Sequence, residues 1–364
     1  MKFNKQRIFW AAAAPVGAFL LAVTVAGFAL VASGKNPFVA YKQMLVYGFT
    51  VDSFINALND SLGGFIAGVA VAIGFRANLF NIGVEGQYRL AAIIGAAVGA
   101  GMPGPGFVRI IWTMLAAMIV GALWAGIAGV LKAYRNVNEV IATIMLNGIV
   151  GGLIAVLLKW KFIASIKDQQ LRTKRLPTSA WFPTIDINGT KLWTFFVIAA
   201  VIGVGYHLLI NKSRLGYELR ATGMNARAAL SAGVNPRRMI ITTMLLSGAI
   251  AGLIGMPNLL QREHEFTQQF PAMLGFAGIA VALVGRGKAT GMAVAALLFA
   301  FLTRSAQALT SPPTRGTREI SQIMQGTMIL AAVIAYEVVR RRTEANAVRD
   351  AATKVDTQLA EVSS

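Results

Sequence analysis

The chain has 364 residues, 56% of them hydrophobic and 13% charged, with a formal net charge of +19 and no cysteine. Soluble domains carry about 25% charged residues, so the composition argues against a soluble globular protein, and the lack of cysteine excludes disulfides, thiolate metal sites and a thiol nucleophile. Two histidines, His207 and His264, make no metal cluster, and the basic residues fall in short segments between apolar runs rather than among aromatics as in a nucleic-acid-binding module.

A spanning helix needs about 20 apolar residues. Phe9–Ala32 follows Lys2, Lys5 and Arg7 and exceeds the ~7–15 residues of a signal-peptide core, which predicts a retained first span. Lys35–Asn59 is mixed and partly amphipathic and is placed at the interface or outer surface. Ser61–Phe75 is a short second span between Asp60 and Arg76, followed by Asn81–Gly101, Ile110–Leu131 and Val140–Leu158. A polar stretch, Trp160–Thr190, separates these from Leu192–Ile210 and Ile240–Leu260. Pro271–Gly285 and Ala289–Thr303 are short spans parted by Arg286, Gly287 and Lys288, and Ile320–Val339 is the last.

The pattern predicts an all-α, polytopic bundle of about ten transmembrane helices over residues 1–340, with a charged tail over 341–364 that reads as disordered. Ten spans place the N-terminus, Lys132–Arg135, Asn211–Arg238, Arg286–Lys288 and Arg340–Arg342 on the cytoplasmic side, together with both termini. Lys159–Lys191 is the exception, being basic yet outside. Ala117, Gly121, Ala125 and Gly129 share one helix face, as do Gly95/Gly99 and Gly248/Gly252, and such faces predict close helix packing.

Four segments carry the functional signals. Arg76–Arg89 reads RANLFNIGVEGQYR. Asn81 can cap the third span, Glu85 and Arg89 share a helix face and can pair, and Gly83 and Gly86 permit a break. A broken helix beside Asn and Gln suits a solute path; an ordinary helix start at the water boundary fits equally. Asn211–Arg238 contains Asn225 as an N-cap, helix formers over Ala226–Ala232, Gly233 as the C′ residue, then Asn235 as a cap with Pro236 behind it. A short helix held rigidly in this way suits docking of a cytoplasmic partner, against the alternative of a merely well-ordered loop. Asn147 lies two turns inside the fifth span, where it either bonds a neighbouring helix or faces the path. Phe276, in GFAGIAVALVGRGK, either stacks on a base or sugar or fills the core. That segment ends at Gly287 and Lys288 but has Ala282 and Ala289 where a phosphate-binding loop needs Gly and a hydroxyl residue. Neither H-E-x-x-H nor G-x-S-x-G occurs, so no enzyme activity is expected.

FRANLFNIGVEGQ (Phe75–Gln87), NEVIATIMLN (Asn138–Asn147), GYELRATGMNARAALSAGV (Gly216–Val234) and GFAGIAVALVGR (Gly275–Arg286) resemble, in order and spacing, the permease subunits of bacterial ABC importers for simple sugars and nucleosides, within the branched-chain amino acid permease superfamily. The resemblance runs from about residue 40 to residue 340. It departs from the family at Val84, where Ala is more usual, and in the basic outer loop. It implies alternating access in the bacterial cytoplasmic (inner) membrane, a nucleoside as solute with a simple sugar as the alternative, a solute-binding lipoprotein outside, and a second related permease subunit. ATP and Mg would sit on a separate cytoplasmic ABC ATPase, with none bound by this chain. Asn78, Asn81, Glu85, Gln87, Asn147 and Phe276 are then expected near the path, and Glu218, Arg220, Asn225, Arg227 and Gly233 at the ATPase. Readings from other classes are an ion-coupled carrier, for which Glu85 is the only good carboxylate, and a membrane protein without transport.

Overall fold

The computed structural model describes residues 20–160, 162–167 and 170–310, together with positions 312, 322, 323, 326, 327 and 330. The first part of the Phe9–Ala32 span, most of Ile320–Val339 and the whole 341–364 tail lie outside the described residues. Two compact units emerge, residues 1–47 with 305–364, and residues 48–304.

In the smaller unit, helix α1 (Leu20–Ala32) turns through Gly34, at φ +71°, into α2 (Pro37–Gly48). The Tyr41 hydroxyl donates to the Val23 carbonyl at 2.5 Å and pins the two helices together.

The larger unit holds α3 (Val51–Arg76), α4 (Val84–Gly101), α5 (Gly106–Arg135), α6 (Glu139–Leu157), α7 (Phe196–Lys212), α8 (Arg214–Met224), α9 (Ala226–Ser231), α10 (Pro236–Gly252), α11 (Met256–Asn258), α12 (Leu274–Val284) and α13 (Ala289–Ser305). Among the described residues, five helices are long and apolar enough to cross a membrane: Val51–Arg76, Gly106–Arg135, Glu139–Leu157, Pro236–Glu263 and Ala289–Thr310. A sixth arises if α7 and α8, bent by 67°, count as one span. The described residues are therefore mostly helical and cross a membrane five or six times by length and composition.

Three expectations are corrected. First, α3 begins at Val51 rather than Ser61, so residues 51–59 are not a surface segment. Thr50 caps the helix by accepting from the Ser53 amide, and Asp52 in the first turn suits the positive helix end. The polar residues that made this stretch look peripheral have partners: Asn59 donates to the Lys191 carbonyl at 2.8 Å and accepts from the Trp193 amide at 2.9 Å. Second, the helical bundle carries short strands in the polar stretch that the sequence reads as a loop. The basic loop forms two antiparallel hairpins, β1 (Ala164–Lys167) with β2 (Gln170–Thr173) and β3 (Thr184–Ile187) with β4 (Thr190–Trp193). The second hairpin turns at Asn188 (φ 52°) and Gly189 (φ 84°), a dipeptide that favours a two-residue hairpin turn. Third, because residues 190–193 pair as a strand, α7 starts at Phe196 rather than Leu192.

The core of this unit is the α5–α10 contact, where the small-residue faces meet as their spacing predicts. A Cβ on Gly121 would overlap the Gly248 carbonyl, and one on Gly252 would overlap the Ala117 carbonyl. Backbones this close gain dispersion contacts that lipid tails cannot better. At the hairpin end, the chain after α11 is clipped to the β segment: Thr173 N donates to Phe266 O (2.9 Å), Leu176 N to His264 O (2.8 Å) and Phe182 N to Leu260 O (2.9 Å), and Arg172 pairs with Glu265 at 2.7 Å. Trp181 stacks on His264 with ring centroids 3.7 Å apart. Burial, with Arg175 and Lys191 nearby, pushes the His264 pKa down to about 4.

Candidate functional site

Two places combine polar chemistry with irregular backbone. The first lies where α3 gives way to α4. After Arg76 the chain turns through Asn78, in left-handed conformation at φ 55°, and re-enters the bundle. Asn81 donates to the Ser247 hydroxyl (2.9 Å), which in turn donates to the Ala70 carbonyl (2.7 Å). Ala70 lies six residues before the end of α3, about 9 Å at 1.5 Å per residue, so α4 starts well inside the bundle. Asn81 and Gln87 exchange a pair of amide hydrogen bonds at 3.0 and 2.9 Å. Asn81 Oδ1 also accepts from the Gly83 amide two residues on, as expected of a cap, although the helix begins only at Val84. From α6, Asn147 accepts from the Gly86 amide (2.9 Å) and donates to the Ile82 carbonyl (3.0 Å), bridging the break.

Glu85 faces α12. Its carboxylate accepts from the backbone amides of Met273 (2.9 Å) and Gly275 (3.0 Å), and Tyr88 OH lies 3.3 Å from it while donating to the Pro271 carbonyl. A carboxylate on a helix N-terminus satisfies orphan amides and opposes the positive dipole end. This outcome corrects the expected Glu85–Arg89 pair: the first turn of α12 claims the carboxylate, and Arg89 forms no ion pair with it. Helix α12 has 11 residues, about 16 Å at the same rise, which is short of a ~30 Å hydrocarbon core. Helices α4 and α12 thus bring their N-terminal ends together at Glu85, with Gly275 packed directly on the Glu85 backbone and Gly278 on Ala67. Asn81, Glu85, Gln87 and Asn147 are all partnered within the protein. Asn78 is exposed and Phe276 half-buried.

The foot of α3 connects this region to the second. Arg76 and Tyr206 both donate to the Gly287 carbonyl, at 2.8 and 2.7 Å, gripping the α12–α13 turn. Gly223, near the end of α8, lies against the backbone of Arg76 and Ala77, with no room for a Cβ.

The second place is the α8–α9 elbow. Ser213 caps α8 by accepting from Gly216 N (3.0 Å). Asn225 caps α9 by accepting from the amides of Arg227 (3.0 Å) and Ala228 (3.1 Å), Gly233 has φ 83°, and Asn235 caps α10 by accepting from Arg238 N, with Pro236 at the first position. The short capped helix expected from the sequence is present. Asn225, Arg227 and Gly233 are exposed; Glu218 is held by Arg214 at 2.8 Å, and Arg220 Nη1 is buried without a hydrogen bond. Sequence reasoning passed over Tyr217, Met224 and Leu230, which are 61%, 81% and 62% exposed on this polar elbow. Tyr217 and Met224 are seven apart on one helix, so they share a face. That spacing, inside a basic segment, was the available signal.

The chain as a whole is similar to proteins of a known type. A family profile described as branched-chain amino acid transport system / permease component matches residues 53–333. The guanosine ABC transporter permease protein NupP of Bacillus subtilis (strain 168) is 35% identical over 317 residues, covering 81% of this chain and 89% of that protein. The glucose ABC transporter permease protein TsgB13 of Haloferax volcanii is 32% identical, covering 79% of this chain and 78% of its own length. The nucleoside ABC transporter permease protein NupB of Lactococcus lactis subsp. cremoris is 28% identical, covering 92% and 94%. No solved structure matches.

Proposed function

The chain belongs to the branched-chain amino acid transport system permease family, and from that premise we propose that it is the membrane subunit of an ATP-driven importer of nucleosides. It is a transport component, not an enzyme; ATP and Mg are bound by a separate cytoplasmic ABC ATPase. A second, related permease subunit completes the path, and a solute-binding lipoprotein delivers nucleoside from outside. The chain sits in the bacterial cytoplasmic membrane with both termini and the α8–α9 elbow in the cytoplasm, and with the hairpins outside.

The observation that carries this reading is the elbow: an exposed, doubly capped element whose buried side rests on the foot of α3 through Gly223. The ATPase grips Tyr217, Met224 and Leu230 together with Glu218, Arg220, Asn225, Arg227 and Gly233. Its motion passes to Ala77 and the break, and through Arg76 to the Gly287 turn. Helix α12, held at one end by Glu85 and at the other by that turn, swings as one piece. Asn78, Asn81, Glu85, Gln87, Asn147 and Phe276 lie near the path that opens, the four internally bonded residues keeping its frame rigid. Discontinuous helices meeting inside the membrane are a recurrent build for solute sites.

The nucleoside assignment leans on NupP and NupB, and the sugar reading on TsgB13. An ion-coupled carrier needs a carboxylate free to bind its ion, whereas Glu85 is committed to α12. Uptake of labelled guanosine and of labelled glucose by cells with and without the gene decides between them. Gene-dependent guanosine uptake that stops when ATP is depleted is expected; gene-dependent glucose uptake without guanosine uptake overturns the nucleoside assignment.

A further inference from the structure

Arg89 is the one ionisable residue of the broken segment whose side chain the structure leaves uncommitted. It stands one helical turn beyond Glu85 on the same face, and α4 continues twelve residues past it to Gly101, about 18 Å. It is therefore deep within the bundle. Its Nε is buried and makes no hydrogen bond, and among the described residues its guanidinium makes neither a hydrogen bond nor an ion pair. Glu85 lies within electrostatic reach, but its oxygens are taken by Met273, Gly275 and Tyr88. The rest of the site behaves otherwise: Asn81, Gln87, Asn147 and Glu85 all have partners. The side chain is partly open rather than sealed in the core. A guanidinium at this depth is costly unless it faces water, a partner charge or a solute.

We infer that Arg89 is a solute-recognition residue on the translocation path, and that it selects nucleosides whose base offers two adjacent acceptors, the O6/N7 edge of a 6-oxopurine. The inference rests on the nucleoside reading above and deepens it. The guanidinium fork is planar and meets paired acceptors with two parallel N–H bonds. A 6-oxopurine presents O6 and N7 side by side; adenosine replaces the first with a donor, and pyrimidine nucleosides lack the pair. A site built to donate two hydrogen bonds rejects analogues that leave its buried donors unpaired. Arg89 holds its solute weakly enough for release because the remaining polar groups around the break are occupied within the protein.

The test is competitive uptake in cells carrying the complete transporter, with guanosine, 7-deazaguanosine and uridine as probes. In the wild type, 7-deazaguanosine, which lacks only N7, is expected to show a KM at least tenfold above that of guanosine. Arg89→Lys and Arg89→Met are expected to raise the guanosine KM at least tenfold, to lower that of uridine by relieving the unpaired donors, and to erase the difference between guanosine and 7-deazaguanosine. Equal KM values for those two in the wild type overturn the assignment without any variant. So does an equal loss for every nucleoside together with loss of the assembled complex, which would mark Arg89 as a salt-bridge residue to the partner subunit. Absence of all nucleoside uptake by the wild type removes the underlying reading itself, a result distinct from nucleoside uptake that ignores the purine edge.

Discussion

The break at Asn81–Glu85 and the elbow at α8–α9 are both interruptions between helices, yet they are held in opposite ways. The elbow is stabilised by its own neighbours in sequence: Ser213, Asn225 and Asn235 cap helices that begin at the next residue, accepting from amides two or three residues on. Its outward side chains stay free for a partner. The break is stabilised by residues 61 to 190 positions away: Asn147, Ser247, Met273 and Gly275. In water an exposed backbone turn is satisfied by solvent; inside a bilayer every amide must find a protein partner. One interruption is a surface and the other is a knot, and substitutions should separate them.

The largest stability effect is expected at the knot. Glu85→Ala leaves the Met273 and Gly275 amides unpaired at the start of α12, at a cost of about 3 kcal/mol, read as a lowered melting temperature in detergent. A melting temperature unchanged from wild type would mean that α12 does not depend on Glu85. Asn147→Ala frees one amide and one carbonyl and should cost about 2 kcal/mol; a loss of uptake at wild-type stability would instead make Asn147 a solute contact. At the elbow, Asn225→Ala removes a single cap worth about 1 kcal/mol, and the melting point should fall slightly while ATPase recovery drops. Met224→Asp with Leu230→Asp should shift stability by less than about 0.5 kcal/mol, as surface substitutions do, yet abolish both ATPase recovery and uptake. If that double variant transports normally, the elbow is only a well-ordered loop.

The smallest effect concerns the hairpin end. The His264 pKa lies below the ordinary histidine value in the folded chain, so the unfolded chain binds the extra proton as pH falls. His264 therefore contributes stability that is present above about pH 6.5 and is lost toward its folded pKa of about 4. Protease resistance of residues 162–193 should weaken over that window, and less so in His264→Gln.

What could be read from the chain follows the same division. Asn225, Gly233, Asn235 and Pro236 announced the elbow because capping is local chemistry. The α5–α10 contact was legible from four-residue spacing, since a small-residue face has few other uses. The break was visible as Gly83, Gly86 and polar residues, but its partners were not, because the claim of α12 on Glu85 is set by the fold and competes with the nearer Arg89. The start of α3 was misplaced because Asn59 looks like a surface residue until β4 pairs with it. The hairpins were missed although Asn188–Gly189 marks one of them, since a run of basic residues drew the reading toward a loop.

The most direct test of the central claim is to purify the tagged chain from native membranes and identify what comes with it by mass spectrometry, alongside the Met224→Asp, Leu230→Asp variant. The importer account predicts an ABC ATPase and a second permease with the wild type, and loss of the ATPase alone with the variant. Recovery of the wild-type chain by itself, under conditions in which a control ABC complex survives, would contradict it.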